Sequence, residues 1–187
     1  SSNIVYTVSS SVLTTNLVWV SPSGDDATAT RCRLDLPAKT LTKAKSLALA
    51  GADTIMVLPG NYEATNLWKN GVNWHFFNGT MASNISANPG GIFDNTALGT
   101  QGAITSNITG DGIFAVVHSN VSDTNENGVI SVVDSNSIVY VHCKAIYGGP
   151  DNTAFYALCL RDGFSTTIEC DEINPVHMGA GINSSVL

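Results

Sequence analysis

The chain from Gly102 to Leu187 repeats itself, and that repeat restricts the fold more than any other feature. Shifted by about 27 residues, Val141-His142-Cys143-Lys144-Ala145-Ile146 falls on Ile168-Glu169-Cys170-Asp171-Glu172-Ile173, cysteine on cysteine and apolar on apolar. Ala154-Phe155 and Cys159-Leu160 fall on Gly181-Ile182 and Val186-Leu187. A step of about 26 sets Ile113-Phe114-Ala115-Val116-Val117-His118 on Val139-Tyr140-Val141-His142-Cys143-Lys144. Each unit holds short β-rich runs broken by Gly, Asn, Asp and Ser, with no helical pattern between them. Stacked units of this kind predict an all-β chain wound as a parallel β-helix.

A length of 187 residues suits one domain. Charged residues are 12% against 43% hydrophobic, so the polar remainder comes from Ser, Thr, Asn and Gly. Those side chains suit a solvated β surface where hydroxyls and amides bond across strands. A net charge of −7 and the lack of any basic stripe argue against nucleic-acid binding, which needs cations to displace counterions. The opening Ser1-Ser2-Asn3-Ile4-Val5-Tyr6 has no basic n-region, and no window holds a membrane-spanning apolar run. No membrane insertion is expected. Because the chain starts on Ser1, it reads as processed or excised, with room for a removed leader. Cys32, Cys143, Cys159 and Cys170 have no CxxC spacing, so zinc is not expected. On neighbouring coils about 4.8 Å apart, Cys143 and Cys170 point the same way, which suits stacked thiols better than a bridge.

Taken in order, residues 1–16 read as an N-terminal arm and 17–187 as a single domain. Leu17-Val18-Trp19-Val20 is a short strand, and Ser21-Pro22-Ser23-Gly24-Asp25-Asp26 a turn. Thr40 can cap a helix over 41–50, with Leu41, Ala44, Leu47 and Ala48 on one face and Gly51 as its stop. Residues 53–58 form a buried strand ending in a Pro59-Gly60 turn, and 71–80 another strand and turn. Residues 81–101 read as an irregular coil, with Ile85, Ile92 and Phe93 as its core and Asn88-Pro89-Gly90-Gly91 as its tip. From residue 102 the coils become regular.

The run Val18-Trp19-Val20-Ser21-Pro22-Ser23-Gly24-Asp25-Asp26, then Pro37-Ala38-Lys39-Thr40-Leu41, then Gly51 through Pro59-Gly60-Asn61-Tyr62, resembles the opening of pectate-lyase-like right-handed β-helix proteins. The resemblance covers 17–62 well and 63–101 loosely, and implies that 17–62 form the cap and first coil. The continuation Asn66-Leu67-Trp68-Lys69-Asn70-Gly71-Val72-Asn73-Trp74-His75-Phe76 looks most like bacteriophage tail-fibre and tailspike members. The physics agrees: a first coil would expose unpaired backbone and an apolar cross-section unless covered, and the 41–50 helix is the natural lid. Gly181 to Leu187 looks like the start of another coil, so either the chain continues or a partner covers that end.

If Val139, Val141 and Cys143 point inward, Tyr140, His142 and Lys144 point outward. The repeat then puts Phe114, Val116 and His118 one coil below them, and Thr167, Glu169 and Asp171 one coil above. That column is either an interface, with carbohydrate or protein, or an ordinary mixed surface; exposed Phe114 and Val116 favour protein contact. Enzymes of the resembled group pair calcium-holding carboxylates with a base. Among Asp94, Asp111, Asp134, Asp162, Glu169 and Asp171, only Asp134 and Asp162 sit at matching turns, with Arg161 beside them; tight turns need such residues too. His75, His118, His142 and His177 share no ligand spacing, and Asp25-Asp26 suits a solvated turn. Five Asn-x-Ser/Thr triplets, at Asn78, Asn84, Asn107, Asn120 and Asn183, read either as glycan acceptors or as turn amides. Neither a metal nor a cofactor is expected.

The resemblance and the scarcity of catalytic groups together imply a non-enzymatic structural or receptor-binding component of a virion, such as a phage tail fibre, tailspike or head fibre. Such a component is expected to work as a homotrimer that contacts other virion proteins or host-surface carbohydrate. The alternatives are a polysaccharide lyase or hydrolase using Asp134, Arg161 and Asp162, and a secreted adhesin.

Overall fold

The computed structural model describes residues 14–85, 91–94, 102–116, 127–132, 134, 136–148, 155–160 and 165–174. These form, in order, β1 (Leu17–Val20), α1 (Leu41–Leu47), β2 (Thr54–Val57), β3 (Gly60–Glu63), β4 (Asn73–Phe76), β5 (Thr80–Asn84), β6 (Thr105–Gly110), β7 (Ile113–Val116), β8 (Asn127–Val132), β9 (Ile138–Tyr147), β10 (Phe155–Leu160) and β11 (Ser165–Asn174). The class is all-β, and every strand pairing among the described residues is parallel.

Three ladders organise the chain. The first stacks β1, β2, β4, β6 and the leading halves of β9 and β11. The second stacks β3, β5, β7 and the trailing halves of β9 and β11. The third joins β8 to β10, extended by Phe93 bridging to Ile130 and by Asn66 and Leu67 N–H groups donating to Gly91 and Ile92 carbonyls. From β2 onward the chain visits first, second and third ladder in that order, circuit after circuit. β9 and β11 are long because each serves two ladders without a break.

Strand alternation explains what lies between the ladders. Val18, Ile55, Trp74, Ile108, Val141 and Ile168 form one register column, and each is at most 2% exposed. Burying each such aliphatic side chain stabilises the fold by about 1.5–3 kcal/mol. At mid-height an aromatic group unites the three ladders. Phe76 packs edge-on against Phe114 at 4.9 Å between ring centroids, Phe93 lies 5.6 Å from Trp74, and Trp68 lies 4.9 Å from Phe93. Each ring pair adds about 0.5–1.5 kcal/mol beyond its burial. The Trp68 indole N–H, which would be costly to bury bare, donates to the Ser131 carbonyl.

The helix is shorter than the apolar pattern predicts. Thr40 caps it as expected, its hydroxyl accepting the Lys43 N–H, and Leu41, Ala44 and Ala48 are buried, with α1 packed against the outermost strand β1. Ala48 has already turned to extended backbone (ψ 138°), and the Lys69 ammonium donates to the freed carbonyls of Lys45 and Ala48. A further expectation needs correction. Residues 80–84 are a regular strand, with Thr80, Ala82 and Asn84 facing inward, so Ile85 is 50% exposed rather than core. The buried strand does end at the Pro59-Gly60 corner, as expected, but a second strand not foreseen there, β3, starts at Gly60, and its Tyr62 hydroxyl donates back to the Leu58 carbonyl at 2.7 Å.

The Cys143 on Cys170 and Val141 on Ile168 register stands as read. The other step does not: β7 aligns Ile113 with Ala145 and Phe114 with Ile146, 32 residues on, not about 26. Circuits differ in length because the loops between strands differ. Residues 1–13 of the arm, the 88–90 tip and 175–187 lie outside the described residues.

Candidate functional site

The outer face of the first ladder carries the residues singled out from the repeat. Tyr140 and Thr167 are register partners, as are His142 and Glu169. The Tyr140 hydroxyl donates to Glu169 Oε2 at 2.9 Å, and one strand half further on Tyr147 does the same to Glu172 Oε2 at 3.0 Å. Each carboxylate holds its tyrosine proton and raises that phenol above its ordinary value. His142, Lys144, Glu169 and Asp171 are exposed. Below Tyr140 the face continues through Asn107, and through His75, whose Nδ1 lies 2.9 Å from the Thr109 hydroxyl and whose ring sits edge-on to Phe77 at 4.8 Å.

Phe114 and Val116 do not belong to this face. Both are buried, Phe114 completely, because β7 lies on the second ladder under the trailing half of β9 and turns those side chains inward. Asn107 takes the position below Tyr140 that the repeat gave to Phe114. Among the described residues, the exposed apolar side chain of this β9 face is therefore Ile138, at 60%, and not Phe114 or Val116. His118 lies outside the described residues, as do His177, Arg161 and Asp162.

Asp134, the described member of the acid pair, is engaged as a turn residue: its carboxylate accepts the Asn136 N–H at 2.8 Å and its carbonyl the Ser137 N–H at 3.0 Å. Asp94 is buried and accepts the Gly91 N–H at 3.1 Å. Among the described residues no three His, Cys, Asp or Glu side chains converge as a metal-ligand set, and no helix is long and apolar enough to cross a membrane.

Lys144 and Asp111, both named from the sequence, share a shallow hollow of about 170 Å³ with Asn61, Asn78, Met81 and Ile113. It forms where β9 passes from the first ladder to the second: the Lys144 N–H donates to the Gly112 carbonyl at that corner. Two amides, a carboxylate and an ammonium around two apolar side chains can hydrogen-bond a polyhydroxylated ligand while covering its apolar face. Asn61 was not legible as a site residue, and Asn78 was read only as a glycan acceptor or turn amide, since both look like ordinary turn amides.

The amide-rich surface has a structural use as well. Asn70 and Asn73 side-chain oxygens accept the N–H groups of Thr105 and Asn107, one strand away, both at 2.9 Å. Asn84 is buried in β5, where a glycan has no room; Asn120 and Asn183 lie outside the described residues. No protein-family model matches this chain, and neither a curated protein nor a solved structure matches it.

Proposed function

We propose that the chain is a right-handed parallel β-helix capped by α1, serving as a non-enzymatic structural and receptor-binding element of a virus particle, of the phage tail-fibre or tailspike kind. One observation carries the architectural part: the chain passes through the three parallel ladders in the same order on each circuit, over one continuous inward column. The binding role draws on the outer face, where Tyr140, His142, Lys144 and Glu169 stand open to solvent or half-open, and on the Lys144 hollow. The viral setting, the virion location and a homotrimeric state rest on the resemblance of residues 17–62 to the pectate-lyase-like group and of residues 66–76 to its phage members. Host-surface carbohydrate is the ligand class that amides, a phenol and an ammonium suit. With Phe114 and Val116 buried, carbohydrate fits this face better than apolar protein contact does.

The test joins solution mass to glycan binding. Light scattering on the eluting protein is expected to give three copies, and immobilised host-surface polysaccharide to retain it without release of new reducing ends. Lys144→Ala and Tyr140→Ala are expected to weaken retention while leaving the β circular dichroism unchanged. A monomer that ignores every polysaccharide would refute the proposal. A second reading, polysaccharide cleavage, draws on the ammonium of Lys144 and carboxylate of Asp111 lining one hollow; product release lost in Asp111→Asn would establish it instead.

A further inference from the structure

The two longest strands hold cysteines opposite one another. Cys143 of β9 and Cys170 of β11 are Cα partners in a parallel ladder, so their side chains leave the sheet on the same inward side. Cys143 is buried, Cys170 is half-buried, and both are free thiols. The neighbouring Cys170 sulfur and then burial raise the Cys143 thiol above its ordinary value, while the pairing with Cys143 lowers Cys170.

Strands in a ladder lie about 4.8 Å apart, whereas a disulfide brings its Cβ atoms to about 3.8 Å, so a direct S–S bond would pinch the ladder. A single atom bonded to both sulfurs makes no such demand. Two bonds to one central atom span a wider gap between the sulfurs than the direct S–S bond of about 2.05 Å does. Zinc itself takes four ligands, and among the described residues no third His, Cys, Asp or Glu completes a set with this pair. The pair offers two inward sulfurs to a thiophilic centre that takes only two ligands from the protein.

We propose that Cys143 and Cys170 form a dithiol site for trivalent organoarsenicals, bridging adjacent strands. Both S–H bonds break and two As–S bonds form; arsenic keeps its carbon substituent and its oxidation state, and the oxide oxygen leaves with the two protons as water. Half-buried Cys170 is the entry sulfur, and Cys143 closes the ring. The site is independent of the proposed binding face.

Phenylarsine oxide is the probe, added to the native chain and followed by intact mass. One phenylarsenic per chain is expected, resistant to excess monothiol, removed by a dithiol, and accompanied by a higher thermal midpoint because β11 is tied to β9. Cys170→Ser and Cys143→Ser should each lose the adduct, while Cys32→Ser and Cys159→Ser keep it. If the buried Cys143→Ser variant fails to fold, Cys170→Ser decides alone. An adduct that survives in Cys170→Ser, or a native chain that takes up none, would overturn the site.

Discussion

Arg31 grips Asp53 at two points, Nε and Nη2 lying 2.6 and 2.5 Å from its two carboxylate oxygens. The pair ties the loop after β1 to the foot of β2, and Asp53 Oδ2 also accepts the Leu49 N–H just beyond α1, at 2.8 Å. Asp53 is fully buried, so without these donors its charge would be costly. The Arg31 bonds, ahead of the Leu49 N–H, hold its carboxyl below the usual aspartate range. A folded pKa below the unfolded value of about 3.9 contributes stability that is complete above about pH 4 and lost as pH falls through the folded pKa. Urea unfolding from pH 7 to pH 2.5 is expected to show this loss, and Asp53→Asn to be less stable at pH 7 with a flatter acid limb.

The α1 cap offers a local test. The Thr40 hydroxyl accepts the Lys43 N–H at 3.1 Å and donates to Asp26 Oδ2 at 2.6 Å, and Asp26 Oδ1 takes the Lys39 and Thr40 N–H groups. Thr40→Ala should cost about 1 kcal/mol in chemical denaturation. Thr40→Ser, which keeps the oxygen, should restore most of it.

At the alkaline end Tyr62 is the group to watch. Burial pushes its phenol up to about 12, and its hydroxyl donates to the Leu58 carbonyl. Because the folded value lies above the unfolded value of about 10, its contribution is intact below about pH 10 and lost as pH rises toward the folded pKa. Tyr62→Phe should remove that part of the alkaline fall in thermal midpoint and cost about 1 kcal/mol at neutral pH.

The inward placement of Phe114 separates the observed register from the one that the repeat suggests. Phe114→Ala should cost about 3–5 kcal/mol, since it opens a hole among Phe76, Phe93 and the third ladder. His142→Ala, on the exposed face, should change stability by less than about 0.5 kcal/mol. Equal, small effects at both positions would restore Phe114 to the surface.

These residues also mark how far the sequence could be read. The β9 and β11 register was legible because Val141, Cys143 and Ile146 meet apolar or identical partners in Ile168, Cys170 and Ile173, even though the alternation shifts phase between Cys143 and Ile146. The same matching failed for β7, because β-branched runs satisfy many alignments and nothing in the sequence shows β9 splitting between β6 and β7. Thr40 declared its cap through side-chain chemistry alone, whereas the end of α1 depends on Lys69, a residue remote in sequence. Asn84 and Ile85 exchanged expected places because an amide ends the inward side of β5. Of the site, Tyr140, His142, Lys144 and Glu169 were visible as an outward set. The hollow beside Lys144 was not, since Asn61 and Asn78 join it only through the second ladder.

Nuclear Overhauser contacts between backbone protons of neighbouring strands test the stacked parallel ladders most directly. The expected result is a parallel pattern that links Ile108 to Val141 and Val141 to Ile168, with Ala145 linked to Ile113 on the next ladder. Antiparallel contacts across any of these pairs, or Val141 joined to Ala115 in place of Ile108, would contradict it.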